Sequence, residues 1–186
     1  MLDPSLIAPE KVRPIKRVEY DRMVDLGLFA SERVELLYGA LVQMTPQGSR
    51  HAHVLTQLTY RLIEGTRRCA IVRTQMPLAV SEESEPEPDL ALVEPADYAD
   101  AHPRTALLVV EIADSSRQKD RVLKPGVYAA AGVPEYWVVD LVKNVVEVRS
   151  QPQKGRYKKL SRLTKGRLSP KAFPDVEVDV GALLGR

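Results

Sequence analysis

Two acidic residues stand where a folded chain tolerates them poorly. Glu111 closes the apolar run Leu107-Leu108-Val109-Val110, and Asp89 lies between Pro88 and the run Leu90-Ala91-Leu92-Val93. A short apolar run bounded by polar residues reads as a strand buried on both faces. A carboxylate at the end of such a strand must meet a cation, a proton or hydrogen-bond donors. If the two strands are neighbours, both carboxylates meet at one end of a sheet. Together with a main-chain oxygen near Ile112 or Ala113 and waters, they suit Mg²⁺ or Mn²⁺. Such an ion polarises a phosphodiester oxygen and lowers the pKa of a bound water.

Phosphoryl chemistry also wants a positive group beside the developing charge. Lys124 is the candidate. Asp120, Lys124 and Tyr128 stand at i, i+4 and i+8, one face of a helix. Pro125 is comfortable only in a first turn, so the helix is expected to begin near Lys124, with Asp120 left ahead of it as an N-cap.

Other residue types offer less. His51 and His53, two apart, do not share a helix face, and no ligand motif completes a zinc site. One of the two is read as lining the mouth of the site, or both as ordinary surface. Ser115-Ser116 has no nearby histidine and does not suggest a serine hydrolase. No glycine-rich phosphate loop is present. Tyr128, Tyr136 and Trp137 are read as core and interface packing, and Cys69, the single cysteine, as packing too.

The elements that must position these groups follow from periodicity. The spacing predicts a short amphipathic helix over Val18–Leu28 and a hairpin of Val34–Leu37 with Leu41–Met44 across Tyr38-Gly39-Ala40. The longest helix is His51–Arg68, with Val54, Leu55, Leu58, Leu62 and Ile63 at helical spacing. Strands are expected at Ala70–Arg73, Leu78–Val80 and Leu90–Val93, the last after the acidic loop SEESEPEPD. Glu135–Asp140 should pair with Val145–Arg149 across a turn at Val142–Asn144. Arg156–Leu160 reads as a further strand, and Val176–Val180 alternates apolar with acidic residues as an edge strand would. The order predicts a mixed α/β fold, one sheet with helices on its faces.

A chain of 186 residues, 44% hydrophobic and 28% charged, suits one globular domain over residues 18–186 behind a loose arm at 1–17. No run approaches the ~18 apolar residues of a membrane span. The first residues lack an apolar signal core, and one cysteine excludes an internal disulfide, so a cytoplasmic location is expected. Net charge is only +2, but it is unevenly spread. Ser81–Asp114 holds ten acidic residues and one basic, and Ser115–Phe173 four acidic and fourteen basic. An acidic centre beside a basic flank suits a metal site that meets a phosphate backbone. Solvated faces would give the same counts.

The Pro88-Asp89 and Glu111-Ile112-Ala113 segments resemble the PD-(D/E)XK nuclease superfamily. The run VVEIADSS through YAAAGVPEYWVVDL, with VELLYGALVQM before it, more closely resembles the Uma-type restriction endonuclease family of bacteria. The likeness covers about Val18 to Leu184. It implies a restriction-endonuclease-like core, a mixed β-sheet flanked by helices, and a divalent-metal nuclease acting on nucleic acid, DNA in the first instance. Matched residue by residue, Asp89 and Glu111 fall on the metal carboxylates, Glu35 on the acidic residue of an early strand, expected to hold a second ion or tune the first, and Lys124 on the lysine of the following helix. The chain departs from the superfamily pattern at Ala113, where a lysine is expected two residues after Glu111. The resemblance therefore also admits a catalytically inactive nucleic-acid-binding or assembly module. A homodimer is expected because cutting a duplex calls for one site per strand, and the Val176–Val180 edge could serve it.

Overall fold

The computed structural model of the protein describes residues 11–114 and 118–185. Most of the expected loose arm and the Ser115-Ser116 pair lie outside them. Where the arm is described, it is tied down: the Ile15 amide donates to the Gly39 carbonyl at 2.9 Å, and Ile15 packs beside Tyr20, Val34 and Leu36.

The chain runs α1 (Arg17–Asp25), β1 (Val34–Leu37), β2 (Ala40–Gln43), α2 (Ser49–Thr66), β3 (Ile71–Thr74), β4 (Leu90–Val93) and β5 (Leu108–Ala113). A π-helical turn (Lys119–Leu123) leads into α3 (Lys124–Ala130). Then come β6 (Glu135–Asp140), β7 (Val145–Gln153), β8 (Arg156–Leu163), β9 (Arg167–Leu168), β10 (Val178–Asp179) and α4 (Val180–Leu183). The main sheet has six strands in the order β3-β4-β5-β6-β7-β8. Only β5 and β6 are parallel, and the π turn with α3 makes their crossover. The mixed sheet flanked by helices is the architecture expected from the sequence.

Each face of the sheet has its own core. Leu90, Leu92, Leu108, Val110, Ile112 and Trp137 point to one side. There they meet the buried stripe of α2, Val54, Leu58 and Leu62, and the C-terminal Val176, Val178, Val180 and Leu183. Ala91, Val93, Val109, Val138 and Tyr136 point to the other, where α3 supplies Tyr128. Strands β4, β5 and β6 are buried on both faces, which is why their sequences are nearly continuous apolar runs.

Two of the hairpins, β1–β2 and β7–β8, have two-residue loops, Tyr38-Gly39 and Lys154-Gly155, with positive φ at both positions. That geometry is the I′ turn, whose twist matches its strands. Gly39 is required for a second reason. A Cβ there would lie 2.2 Å from Pro14 Cβ.

Three expectations need correction. Leu78–Val80 forms no strand. Its amides donate to Pro86, Pro103 and Leu78 in turn, because Pro77, Pro86 and Pro88 leave no partner chain with an unbroken row of donors. Cys69 is exposed rather than packed; it follows Arg67 and Arg68, both with positive φ, which turn the chain out of α2. Of the expected edge strand Val176–Val180 only Val178–Asp179 is extended. It pairs with β9, and the Asp179 side chain then caps α4, accepting from the Ala182 amide at 2.9 Å. The edge offered to a second copy is therefore already taken up by β9 on one side.

Gly39→Ala should destabilise the fold by about 1–3 kcal/mol, from left-handed strain plus the clash with Pro14. A lower urea midpoint at unchanged slope is the expected observation.

Candidate active site

The register of the central strands assembles the acidic pair. Leu90 pairs with Val110 across β4 and β5, so the next step along the ladder sets Asp89 opposite Glu111. Asp89 is fixed through Oδ2, which accepts from the Ile112 amide at 2.7 Å and lies 3.0 Å from His51 Nε2. Glu111 is fixed through Oε1, which accepts from Lys124 Nζ at 2.9 Å and from the Tyr128 hydroxyl at 2.8 Å. None of these bonds engages Asp89 Oδ1 or Glu111 Oε2. Both residues line one small cavity of about 70 Å³, with His51, Ile112, Lys119 and Asp120 among its walls. At ~30 Å³ per water it has room for about two.

Lys124 is the hub. Its ammonium lies 3.0 Å from Glu35 Oε2, 2.9 Å from Glu111 Oε1 and 3.9 Å from Asp120 Oδ1. It is 1% exposed. Glu35, on β1, is wholly buried and also accepts from the Glu87 amide at 3.1 Å and from Lys119 Nζ at 2.5 Å. The β1–β2 hairpin is tied to the crossover and to the loop between β3 and β4 through these bonds and through the paired backbones of Leu36 and Glu85.

The electrostatics follow from carboxylates outnumbering ammonium groups. Burial pushes the Glu35 carboxyl up, but Lys124 and Lys119 hold it below the usual carboxylate range. Burial pulls the Lys124 ammonium down, and Glu111, Glu35 and Asp120 more than reverse this, so Lys124 stays charged. The surplus of acid falls on Glu111. Burial first, then Asp120, Asp89 and Glu35, raise it to about 8 against the pull of Lys124. Burial and the neighbouring Glu111 keep Tyr128 protonated as a donor.

The structure thus brings Glu35, Glu111 and Lys124 into direct contact and sets Asp89 on the same cavity. Asp120 is not the expected N-cap. It lies inside the π turn, 1% exposed, facing Lys124. A π turn carries one more residue than an α turn, and this one carries the Asp120 face over Lys124 before Pro125 starts the regular helix. Ala113 is sealed in the core of β5, so the position where a lysine was expected faces apolar neighbours.

Sequence reasoning missed two positioning groups, Tyr128 and Lys119, and left open which of His51 and His53 meets the site. His51 is buried against Asp89, while His53 is exposed. The signal was available, since His51 is in phase with Val54, Leu58 and Leu62 on the buried face of α2. Tyr128, assigned to packing, carries its hydroxyl to Glu111 from the same face as Lys124. Lys119 carried no signal; its reach to Glu35 spans two distant elements.

A divalent ion of this kind takes oxygen ligands from several groups. Among the described residues no three His, Cys, Asp or Glu side chains form a ready cluster for one. The acids converge on Lys124 Nζ. What remains is one unengaged oxygen each on Asp89 and Glu111, beside Ile112 on the shared cavity; the Ala113 carbonyl already accepts from Leu141 at 3.0 Å. This fits Mg²⁺, which commonly takes one or two carboxylates and completes its shell with water and substrate phosphate.

The fold is shared with a solved structure. A crystal structure described as "a putative nuclease" from Anabaena variabilis ATCC 29413 matches with a TM-score of 0.72 at 15% identity, over 92% of this chain and 98% of that one. At that identity the match speaks for the fold. The chain belongs to the Uma2 family, described as "Putative restriction endonuclease", whose model matches residues 18–181. No curated protein matches significantly. No helix among the described residues is long and apolar enough to cross a membrane.

Glu111 binds its proton more tightly in the folded chain than at its usual value of 4.5. Its contribution to stability is therefore full below about 4.5 and is lost as pH rises through about 8. Glu111→Gln removes that loss. Urea unfolding from about pH 5 to about pH 8 should show the difference between variant and parent moving steadily in the variant's favour.

Proposed function

We propose that the protein is a divalent-metal-dependent nuclease that hydrolyses phosphodiester bonds in DNA. The observation that carries this reading is the pair of oxygens, Asp89 Oδ1 and Glu111 Oε2, left unengaged on one cavity while every other oxygen contact of the two carboxylates is fixed by a buried donor. Family membership supports it.

Asp89 and Glu111 would hold Mg²⁺ or Mn²⁺. When bound, the ion polarises a phosphodiester oxygen and lowers the pKa of a coordinated water. The chain's own residues supply the rest. His51 and the Ile112 amide keep Asp89 in place, and Tyr128 does the same for Glu111. Lys124 holds Glu111 ionisable and sets a positive charge at the cavity wall, where charge on phosphate oxygens is stabilised. Glu35, held by Lys119 and Lys124, fixes the position of Lys124 rather than reaching the cavity as a ligand of its own. A cut through both strands of a duplex would need two such sites, which a twofold dimer supplies.

A second reading, a nucleic-acid-binding module without cleavage, draws on one observation: Lys124 already satisfies part of the negative charge that a metal would otherwise neutralise.

Asp89→Ala and Glu111→Ala should each lower plasmid cleavage in Mg²⁺ by at least ~10²-fold with a native circular-dichroism spectrum. A variant cutting as fast as the parent removes the mechanism. Lys124→Ala should lose cleavage too, but it leaves buried carboxylates without their cation and destabilises by about 3–5 kcal/mol, so its folding is checked first. Calorimetry with Mn²⁺ separates the two readings. A parent that binds no ion near millimolar concentration yet binds DNA is the non-cleaving module.

A further inference from the structure

One row of the sheet runs from the acidic cavity to the far edge. Glu111 pairs with Val138, Val138 with Glu147, and Glu147 with Arg162. Residues paired across strands share a face, so Glu147 and Arg162 lie on the same side of the sheet as Glu111. At ~4.8 Å per strand they are about 10 and about 14 Å away.

Glu147 is completely buried and meets three guanidinium groups. Arg121 donates to its Oε1, Arg162 Nε donates to Oε1 at 3.0 Å, and Arg149 donates to Oε2 at 3.0 Å. Arg121 also lies 3.4 Å from Asp140 Oδ2. Burial pushes Glu147 up, but the three arginines hold it below its usual range, so it stays an anion at the centre of the group. Asp140 turns its other oxygen to the Val142 and Lys143 amides at 3.1 and 2.8 Å. Three positive charges therefore face two negative ones. One arginine would satisfy a buried glutamate; three leave both charge and donors in excess.

The spare donors can be named. Arg121 Nε and Arg149 Nε have no partner among the described residues but are sealed from solvent, so the accessible spare donors are those of Arg162. Arg162 is bonded through Nε, its side chain is 58% exposed, and its terminal amino groups have no partner among the described residues. A guanidinium bonds phosphate oxygens in pairs, and held from behind by a carboxylate it loses less freedom on doing so.

The group also lies on a path from the cavity. The walls of the acidic cavity share Thr45 and Lys119 with a groove of about 540 Å³. That groove shares Gln118 and Val122 with one of about 470 Å³ lined by Arg121 and Arg149.

We propose that Arg121, Arg149 and Arg162, gathered on Glu147, form a cradle for a backbone phosphate of the nucleic acid, some two to three strands along the sheet from Glu111. The distance corresponds to about three or four nucleotide steps at ~3.4 Å rise. The cradle positions the strand and carries no base specificity. It rests on the nuclease reading for its partner, and it places the substrate across the α3 face of the sheet, past the π turn.

The test is binding of a short DNA duplex in EDTA, followed by fluorescence anisotropy over a salt series. Each phosphate contact contributes about 0.9 to the slope of log affinity against log salt. Arg162→Gln should weaken binding several-fold and make that slope shallower by about 1, while Arg162→Lys keeps most of the slope. Arg149→Gln, if it folds, should do the same as Arg162→Gln. Thermal unfolding of each variant serves as the folding control. Unchanged slopes in both glutamine variants, or a parent that binds no DNA, overturn the cradle. Hydrolysis of bis(p-nitrophenyl) phosphate by the parent in Mn²⁺ reports on the nuclease reading alone. A parent inert on this diester with an arginine-dependent slope loses the nuclease reading and keeps the cradle. An active parent with unchanged slopes does the reverse.

Discussion

A single buried ammonium group holds the centre of this protein together. Lys124 lies between Glu35 of β1 and Glu111 of β5, with Asp120 of its own crossover on the third side. Two carboxyl groups so placed do not both ionise readily in a medium of low dielectric; the cation keeps Glu35 ionised, while Glu111 holds its proton well above the usual carboxylate range. The hairpin that carries Glu35, the strand that carries Glu111 and the crossover that carries Lys124 are held in mutual position by one shared charge. A buried ion pair of this kind contributes little net stability, since desolvation of the partners offsets their attraction. What it does fix is geometry, and geometry is what a metal or phosphate site requires.

The two faces of the sheet divide the work. On the α2 face, leucines, valines and Trp137 make a conventional core, which His51 interrupts as it reaches Asp89 from the first turn of the helix. On the α3 face the apolar layer of Tyr128, Tyr136 and Val138 is interrupted by Glu111 and Glu147, each buried and each neutralised by bases from the crossover. Tyr136 assists without charge: its hydroxyl donates to the Asp120 carbonyl at 2.6 Å and so ties the crossover to β6. Both acidic centres therefore depend on the same short connection between β5 and β6.

Much of this was legible in the chain itself. The runs ending at Val93 and Val110 announced doubly buried strands, and their antiparallel pairing sets Asp89 opposite Glu111. The spacing of Asp120, Lys124 and Tyr128 announced a shared face, and that face does turn toward Glu111. The failures have common causes. Leu78–Val80 is apolar enough for a strand, but prolines around it remove the donors a ladder needs. Cys69 follows a helical pattern that two left-handed residues end before it. Between His51 and His53 the pair itself did not decide which one meets the site, although the phase of His51 with Val54 and Leu58 pointed inward. Lys119 could not be read at all, and the arginines around Glu147 were legible only as part of a basic flank that meets a phosphate backbone, not as a group gathered on one carboxylate. Their partners are fixed by tertiary approach of elements far apart in sequence, which local pattern does not encode.

The π turn has a bearing on how this chain can change length. Lys119, Asp120 and Arg121 are consecutive, yet they serve three different partners: Glu35, Lys124 and the Glu147–Asp140 pair. An α-helix advances about 100° per residue. Deleting one residue here to restore a regular helix would swing Asp120 and Arg121 by about that angle relative to Lys124. Insertions and deletions that surface loops absorb freely should therefore be rejected between Lys119 and Lys124, where the number of residues matters as much as their identity.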